Sequence, residues 1–443
     1  MRRGWPTLLL AMAGCEGDAP PPAAMRTPAA PRTSLVLYLT DTLRADRLSA
    51  YGFERPTSPR LEEFARESIL FEDAWAVAPW TRPAVAALLT GVRPAGSAGV
   101  NFDPGLHDGY LTLAEALRAV GYRTGAVVAN HVVNERVGFN QGFEAWNDGP
   151  TTAYGSNAGD VVERGLRFVD GVGDQPFFLY LHTMEPHHPH QPSAAAQKLF
   201  SWPAEARPRG RRAVERLDIL YQGELWDNDQ AFGALVGGLR ERGHLDRALV
   251  VFTADHGEEF LDHGGKGHGH KLYQELLRIP LAIRLPHGAG ASRSRDPVSQ
   301  VDLFPSLLSL LGVAAPASDG RDLAARWLGR ATPETAEVER VAETHLGKAE
   351  KEAIRVGNLK LIVNLDHGRT PSFRRGGARL ELYDLDRDPR ERENLAARRQ
   401  EAVARLEARL RVLRSSVRDG VPRRSPEWLP GDREELRALG YVE

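Results

Sequence analysis

From residue 34 to about residue 330, short apolar runs alternate with stretches whose apolar positions recur at helical spacing. "SLVLYLTD" (34–41) is an unbroken apolar run that ends on an acid, the pattern of a strand buried on both faces of a parallel sheet. "YRTGAVVAN" (122–130), "PFFLYLHT" (176–183), "RALVVFTAD" (247–255) and "IPLAIRL" (279–285) read as further strands, the last after a short helix near 271–277. "RLEEFARES" and "LTLAEALRAVG" read as amphipathic helices, the second stopped by Gly121, and "VDLFPSLLSLLG" as an apolar helix. This alternation predicts an α/β fold with a mostly parallel central sheet flanked by helices, over 34–332. Beyond about residue 350 the pattern changes. "AIRVGNLKLIVNL" and "ARLELYDL" look like antiparallel strands, and "RERENLAARRQEAVARLEARLRVLRSS" like one long helix, so a small α+β domain is expected over 333–443.

"APWTRPAVAALLTG" (78–91) predicts a short helix of particular interest. Pro83 suits a first helical position, Val85, Leu88 and Leu89 form an apolar stripe, and Gly91 supplies the stop. Thr81 then stands just before a helix start, where unpaired N–H groups favour bound oxyanions. Its hydroxyl is a candidate nucleophile, a candidate metal ligand, or a plain helix-terminus group.

Composition narrows the class. A net charge of -2 gives no clustered basic surface for a nucleic acid, and the Arg-rich stretches near 372–379 and 398–418 read as solvated faces. The single cysteine, Cys15, excludes an intramolecular disulfide framework and a multi-cysteine zinc cluster. Residues 1–15 have a basic start and an apolar stretch too short to span a bilayer, as in a secretory signal. They also resemble a bacterial lipoprotein signal, which implies lipidation at Cys15, export to the cell envelope and membrane attachment through the lipid. The alternative is an ordinary signal with an incidental cysteine. Residues 16–33 read as a Pro/Ala-rich tether.

The chemistry lies at the strand ends. Asp41, Asn130 with His131, His182, and Asp255 with His256 close four predicted strands, the sheet edge where open α/β folds bind ligands. "HTMEPHHPHQP" adds His187, and "ADHGEEFLDHGGKGHGHK" adds His263, His268 and His270 among glycines. Carboxylates suit a hard divalent cation, and imidazoles suit zinc or manganese. The other histidines, His182, His263 and His270 among them, are candidates for binding a tetrahedral oxyanion; adventitious metal binding is the plain alternative. No H-E-x-x-H, G-x-S-x-G or P-loop pattern is present.

Together these stretches resemble the sulfatase family of the alkaline phosphatase superfamily. The likeness runs from "SLVLYLTDTLRADRLSAYG" through "APWTRPAVAALLTG", "FFLYLHTMEPHHPHQP" and "TADHGEEFLDHGGKGHGHKLYQELLRIPLAIR" to "LELYDLDRDPRERENLA" and "ELRALGYVE". The resemblance implies an ester hydrolase, by family a sulfuric ester hydrolase. It also implies one divalent cation, calcium by family expectation with zinc or manganese as alternatives, and a small-molecule, glycan or lipid ester as substrate. It makes Asp41, Asp255 and His256 cation ligands, Thr81 the nucleophile position, and His131, His187 and His268 catalytic-site residues. Thr42 replaces the second acid of the usual pair, Ala129 and Asn130 stand where a lysine is usual, and Val85 replaces an arginine. Threonine is not an expected precursor of formylglycine, so none is expected here. Arg82 is the nearby cation that could substitute for the missing arginine at the substrate. A sulfated threonine has no second hydroxyl to expel sulfate, whereas water can attack a phosphothreonine at phosphorus. The readings that stay open are a sulfatase, a phosphoester or phosphodiester hydrolase or phosphotransferase, and a non-catalytic metal-binding lipoprotein of the same fold.

Overall fold

All seven residues of strand β1 (Ser34–Thr40) are buried, which is why this segment is an unbroken apolar run. In the computed structural model, which describes residues 1, 32–94, 105–148, 157–201, 210–331, 337–346, 349–365 and 378–415, β1 lies near the middle of the main sheet. The other strands of the large region are β2 (Ile69–Trp75), β3 (Arg123–Val128), β4 (Ala145–Asn147), β5 (Phe177–Thr183), β6 (Ala248–Ala254), the small hairpin β7 (Glu259–Phe260) and β8 (Lys266–Gly267), then β9 (Arg278–Arg284), β10 (Ser292–Ser294) and β11 (Val298–Ser299). The main sheet runs β10-β2-β9-β6-β1-β5-β3-β4, with β11 also paired to β2. The block β6-β1-β5-β3-β4 is parallel throughout, and β9 alone runs against its neighbours β6 and β2.

Helices cover this sheet: α1 (Pro59–Ala65), α2 (Thr81–Thr90), α3 (Leu113–Ala119), α4 (Ala158–Val172), α5 (Ala194–Leu199), α6 (Arg211–Glu241), α7 (Gln274–Leu277), α8 (Leu303–Leu310) and α9 (Ala324–Trp327). α3 begins on a capping box between Thr112 and Glu115. α2 differs from the sequence expectation in two ways. It starts at Thr81, with Trp80 as N-cap, so Pro83 is its third residue; the first four N–H groups of a helix have no partner within it, and a proline is tolerated there too. All ten of its residues are buried rather than a single stripe, because helix and strand neighbours enclose it. Gly91 ends it at φ 69°, and a Cβ there would lie 2.8 Å from the Phe304 ring.

The smaller sheet is antiparallel, β12 (Glu339–Thr344), β13 (Lys351–Val356), β14 (Leu359–Asn364) and β15 (Leu380–Asp384) in sequence order. Helix α10 (Gln400–Ser415) packs Val403, Leu406 and Leu410 against Ile354, Leu361 and Leu382. The helix therefore starts ten residues later than the polar run from Arg390 suggested; 390–399 is turn and coil. The small sheet is joined to the large one by ion pairs from Arg340 and Arg355 to Asp73 of β2, at 2.8 and 2.7 Å. Lys360 and Glu391 form a completely buried pair at 2.7 Å, with the ammonium 5.5 Å from the Trp75 ring centre. Lys360→Ala would leave that carboxylate unpaired inside the protein, so the variant is expected to lose about 3–5 kcal/mol in chemical denaturation.

Cys15, the signal and tether segments, the 332/333 boundary, most of the basic run at 372–379 and the terminal "ELRALGYVE" lie outside the described residues. No described helix is long and apolar enough to cross a membrane.

Candidate active site

The parallel register brings the predicted strand ends together. Thr40 pairs with Thr183 of β5 and Ala254 of β6, so Asp41, His182 and Asp255 emerge side by side at one sheet edge. Val128 pairs with His182, which places Asn130 at the same edge. α2 enters here with Thr81 as its first residue.

Asp41 is completely buried and its two oxygens differ. Oδ2 faces Thr81 Oγ1 at 3.2 Å, the Asn130 side-chain amide at 2.5 Å and His182 Nε2 at 3.4 Å. Oδ1 is buried with no hydrogen-bond partner, as is Asp255 Oδ2. Asp255 Oδ1 accepts the backbone N–H groups of Thr42 and His256, at 3.1 and 2.7 Å. His256 Nε2 stands 3.3 Å from Asp255 Oδ2, 3.8 Å from Asp41 Oδ1 and 3.3 Å from Thr81 Oγ1. Thr42 holds a left-handed backbone at φ 52°, costly for a β-branched residue, and this bend turns its N–H toward Asp255.

Two orphaned carboxylate oxygens beside an imidazole nitrogen fit a divalent cation well. Asp41, His182 and Asp255 also converge closely enough to hold one. Burial pushes both carboxyls up. At Asp41 the adjoining His182 side chain and the charges of His187 and His256 outweigh it, and its net pKa is lowered. At Asp255 burial is reinforced by the Asp41 charge, and the pKa rises well above the usual range. Burial, with His268 adding to it, lowers His256 to about 3, leaving it neutral as a ligand must be. The metal-free site therefore keeps a proton on Asp255 to higher pH than a free carboxyl would. Cation binding should release about one proton, seen by calorimetry in buffers of different protonation enthalpy, and affinity should rise with pH.

His187 and His268 flank this cluster. The His268 ring centre is 4.6 Å from that of His256 and 5.1 Å from that of His187. His268 Nδ1 meets Glu258 Oε2 at 3.3 Å; burial opposes its charge, but the Glu258 carboxylate prevails and its pKa is raised. Burial lowers that of His187, and the His268 charge adds to it.

The remaining expected residues are placed as follows. Arg82 is buried beside Thr81 and donates its Nε–H to the Val132 carbonyl at 3.1 Å, on the loop that carries Asn130. The strand-end residue that reaches Asp41 is Asn130, while His131 is half-buried at the following turn. His182 lies against Asp41 at the cation cluster rather than at an outer substrate position. His263 belongs to another cluster: it pairs with Glu275 at 2.6 Å, stacks on Tyr273 at 3.6 Å and meets the Glu391 carbonyl at 3.1 Å. His270 is exposed on the same loop. That loop is anchored to the small sheet by Gln274 N–H to Glu391, Tyr273 to Glu381 and Thr344 to the Gly269 carbonyl. Sequence reasoning missed Glu258, which "DHGEEF" offered only as a generic acid, and Tyr180, whose hydroxyl lies 3.1 Å from His182 Nδ1.

Comparison with known proteins agrees with this fold. Residues 33–313 match the protein family described as Sulfatase. The ulvan-active sulfatase of Formosa agariphila is 26% identical over 334 residues, 66% of this chain and 64% of that protein, so the match spans just under two thirds of that relative. Arylsulfatase A of Homo sapiens is 28% identical over 73% of this chain and 71% of its own. The crystal structure of the phosphonate monoester hydrolase of Agrobacterium radiobacter superposes with a TM-score of 0.70 at 21% identity, over 86% of this chain and 95% of that one. The chain belongs to the sulfatase family, the sulfatase-like hydrolases with the alkaline phosphatase-like fold.

Proposed function

We propose that the protein is a cation-dependent ester hydrolase that uses Thr81 as nucleophile on a phosphate ester or diester. The carrying observation is the position of Thr81 Oγ1, 3.2 Å from Asp41 Oδ2 and 3.3 Å from His256 Nε2 at the first residue of α2. Asp41, Asp255 and His256 would hold the ion, with Thr81 beside them. The bound cation would lower the hydroxyl pKa and stabilise charge on the transferred group. One imidazole among the donors favours zinc or manganese over calcium, which takes oxygen ligands.

In the first step Thr81 Oγ forms a bond to phosphorus as its proton is lost to solvent, with Asp41 Oδ2 orienting the hydroxyl. The bond from phosphorus to the leaving oxygen breaks, and His268, whose charged form the Glu258 carboxylate favours, gives that oxygen its proton. Water, or in a phosphotransferase an acceptor alcohol, then attacks phosphorus opposite Thr81 and gives its proton to His268. The bond from phosphorus to Thr81 Oγ breaks, the threonine hydroxyl is reprotonated from solvent, and phosphate, a phosphomonoester or the acceptor ester is released. Arg82 supplies positive charge in place of the arginine that Val85 replaces; loss of a critical oxyanion donor costs on the order of 10²–10³ in rate.

Sulfate-ester hydrolysis is the second reading, favoured by the sulfatase names of the relatives. It would need water to attack sulfur directly, with Thr81 only a cation contact. Purified protein incubated with aryl sulfate, aryl phosphate and bis-aryl phosphate, with and without chelator, separates the two. Metal-dependent turnover of a phosphate substrate with a phosphorylated residue 81 peptide by mass spectrometry supports the first. Sulfate turnover without an adduct supports the second, and no turnover despite a bound cation supports a scaffold. Residues 1–15 support export and attachment through Cys15, and a Cys15→Ser variant should leave the membrane fraction on cell fractionation.

A further inference from the structure

Two imidazoles face the Asp41 and Asp255 carboxylates, and their inner nitrogens meet opposite kinds of partner. His256 Nδ1 lies 2.9 Å from the Gly257 carbonyl oxygen. A carbonyl only accepts, so Nδ1 carries the hydrogen and Nε2 presents a lone pair to Asp255, Asp41 and Thr81. His182 Nδ1 lies 3.1 Å from the Tyr180 hydroxyl instead. Tyr180 and His182 alternate on β5, two residues apart on the same face, and both are completely buried. Among the described residues, His182 Nδ1 is the hydrogen-bond acceptor within reach of that hydroxyl. Burial, with the Asp255 and Asp41 charges adding to it, keeps the phenol protonated. A buried O–H left without an acceptor is costly, so the hydroxyl donates to Nδ1. His182 then carries hydrogen on Nε2, which stands 3.4 Å from Asp41 Oδ2 without hydrogen-bond geometry.

We infer that His182, despite standing close enough to ligate a cation with Asp41 and Asp255, turns a hydrogen and not a lone pair toward Asp41, and that Tyr180 is the positioning residue that holds it in that tautomer. Two donors, from Thr81 and Asn130, hold Asp41 Oδ2, and His182 Nε2 stands beside them at 3.4 Å without a formed hydrogen bond. Oδ1 is the oxygen left for an ion, facing the same space as Asp255 Oδ2 and His256 Nε2. His182 thus orients a ligand rather than being one, the part that outer partners commonly play around metal centres.

The inference rests on the cation-site reading only in its second test. First, histidines labelled with ¹⁵N are observed by NMR in the metal-free protein, with the His182 signals assigned by their loss in His182→Asn. Nε2 of His182 should carry hydrogen, and Tyr180→Phe should shift the population toward Nδ1–H, which a purely structural tyrosine would not do. Hydrogen on Nδ1 of His182 in the wild-type protein overturns the inference whatever the protein's activity. Second, the protein is loaded with ¹¹³Cd²⁺ as a spin-active probe. Coupling should appear at His256 Nε2 and be absent at His182; coupling at His182 also overturns it. By calorimetry with Mn²⁺, His182→Asn, which keeps an N–H donor, should lose about tenfold in affinity or less. A loss as great as that of His256→Asn would count against the inference. If no ion binds at all, the cation-site reading fails while the metal-free tautomer still decides this one.

Discussion

Thr81→Ala should remove phosphate-ester turnover, with kcat falling on the order of 10⁴-fold or more, the scale seen when a nucleophile is deleted from a unit that acts together. The expectation follows from the lack of a substitute. Within the cluster, Thr81 supplies the hydroxyl that touches both Asp41 and His256. Thr42, the neighbouring hydroxyl residue, has its backbone turned at φ 52° so that its N–H serves Asp255. Thr81→Ser keeps the hydroxyl and should retain activity within about tenfold, with the adduct now on serine by mass spectrometry. Because α2 is buried along its length and Trp80 caps it without a side-chain bond, neither change should alter helix formation much. Full activity in Thr81→Ala would leave direct attack by water as the remaining chemistry.

Asp255→Asn should separate fold from function. In the metal-free protein burial and the neighbouring Asp41 charge raise the Asp255 pKa well above the usual range and so favour its neutral form. An asparagine reproduces that neutral state and can still accept the N–H groups of Thr42 and His256 through its oxygen. Thermal stability of the metal-free variant should therefore match or exceed the parent. Cation affinity should fall by more than the roughly 10–100-fold that outer-shell changes cost, and turnover should go with it. Calorimetry and a melting curve on the same preparation check both halves. A large loss of stability without cation would mean that Asp255 is ionised in the folded protein and that the proton-release expectation above is wrong.

The parts of this protein legible in its sequence are those set by local pattern. β1, β5 and β6 are nearly continuous apolar runs, and each stops at the polar residue that enters the site. β2 was not anticipated because Glu72 and Asp73 interrupt its apolar pattern; Asp73 meets Arg340 and Arg355, which are distant in sequence. α6 went unremarked because its long surface is mixed in polarity along its whole length. Pro83 pointed to the right helix but the wrong starting residue, since proline fits any position in a first turn. At the β3 end the sequence offered adjacent Asn130 and His131, and the amide proved to be the group that reaches Asp41. The roles of His263, Glu258 and Tyr180 depend on partners supplied by the fold, and no spacing rule could have sorted the histidines between the two clusters.

The loop carrying His268 is built by both halves of the chain. Its turns are tied to Glu391, Glu381 and Thr344, so described residues after 332 hold that loop in place. The apparent boundary near that residue is a change of architecture and not a point of independence. Shortening the chain there would remove the anchors of the loop that carries His268, the proposed proton donor, while Asp41 and Asp255 belong to the main sheet edge. A truncated form would thus be expected to keep an ion and lose its reaction.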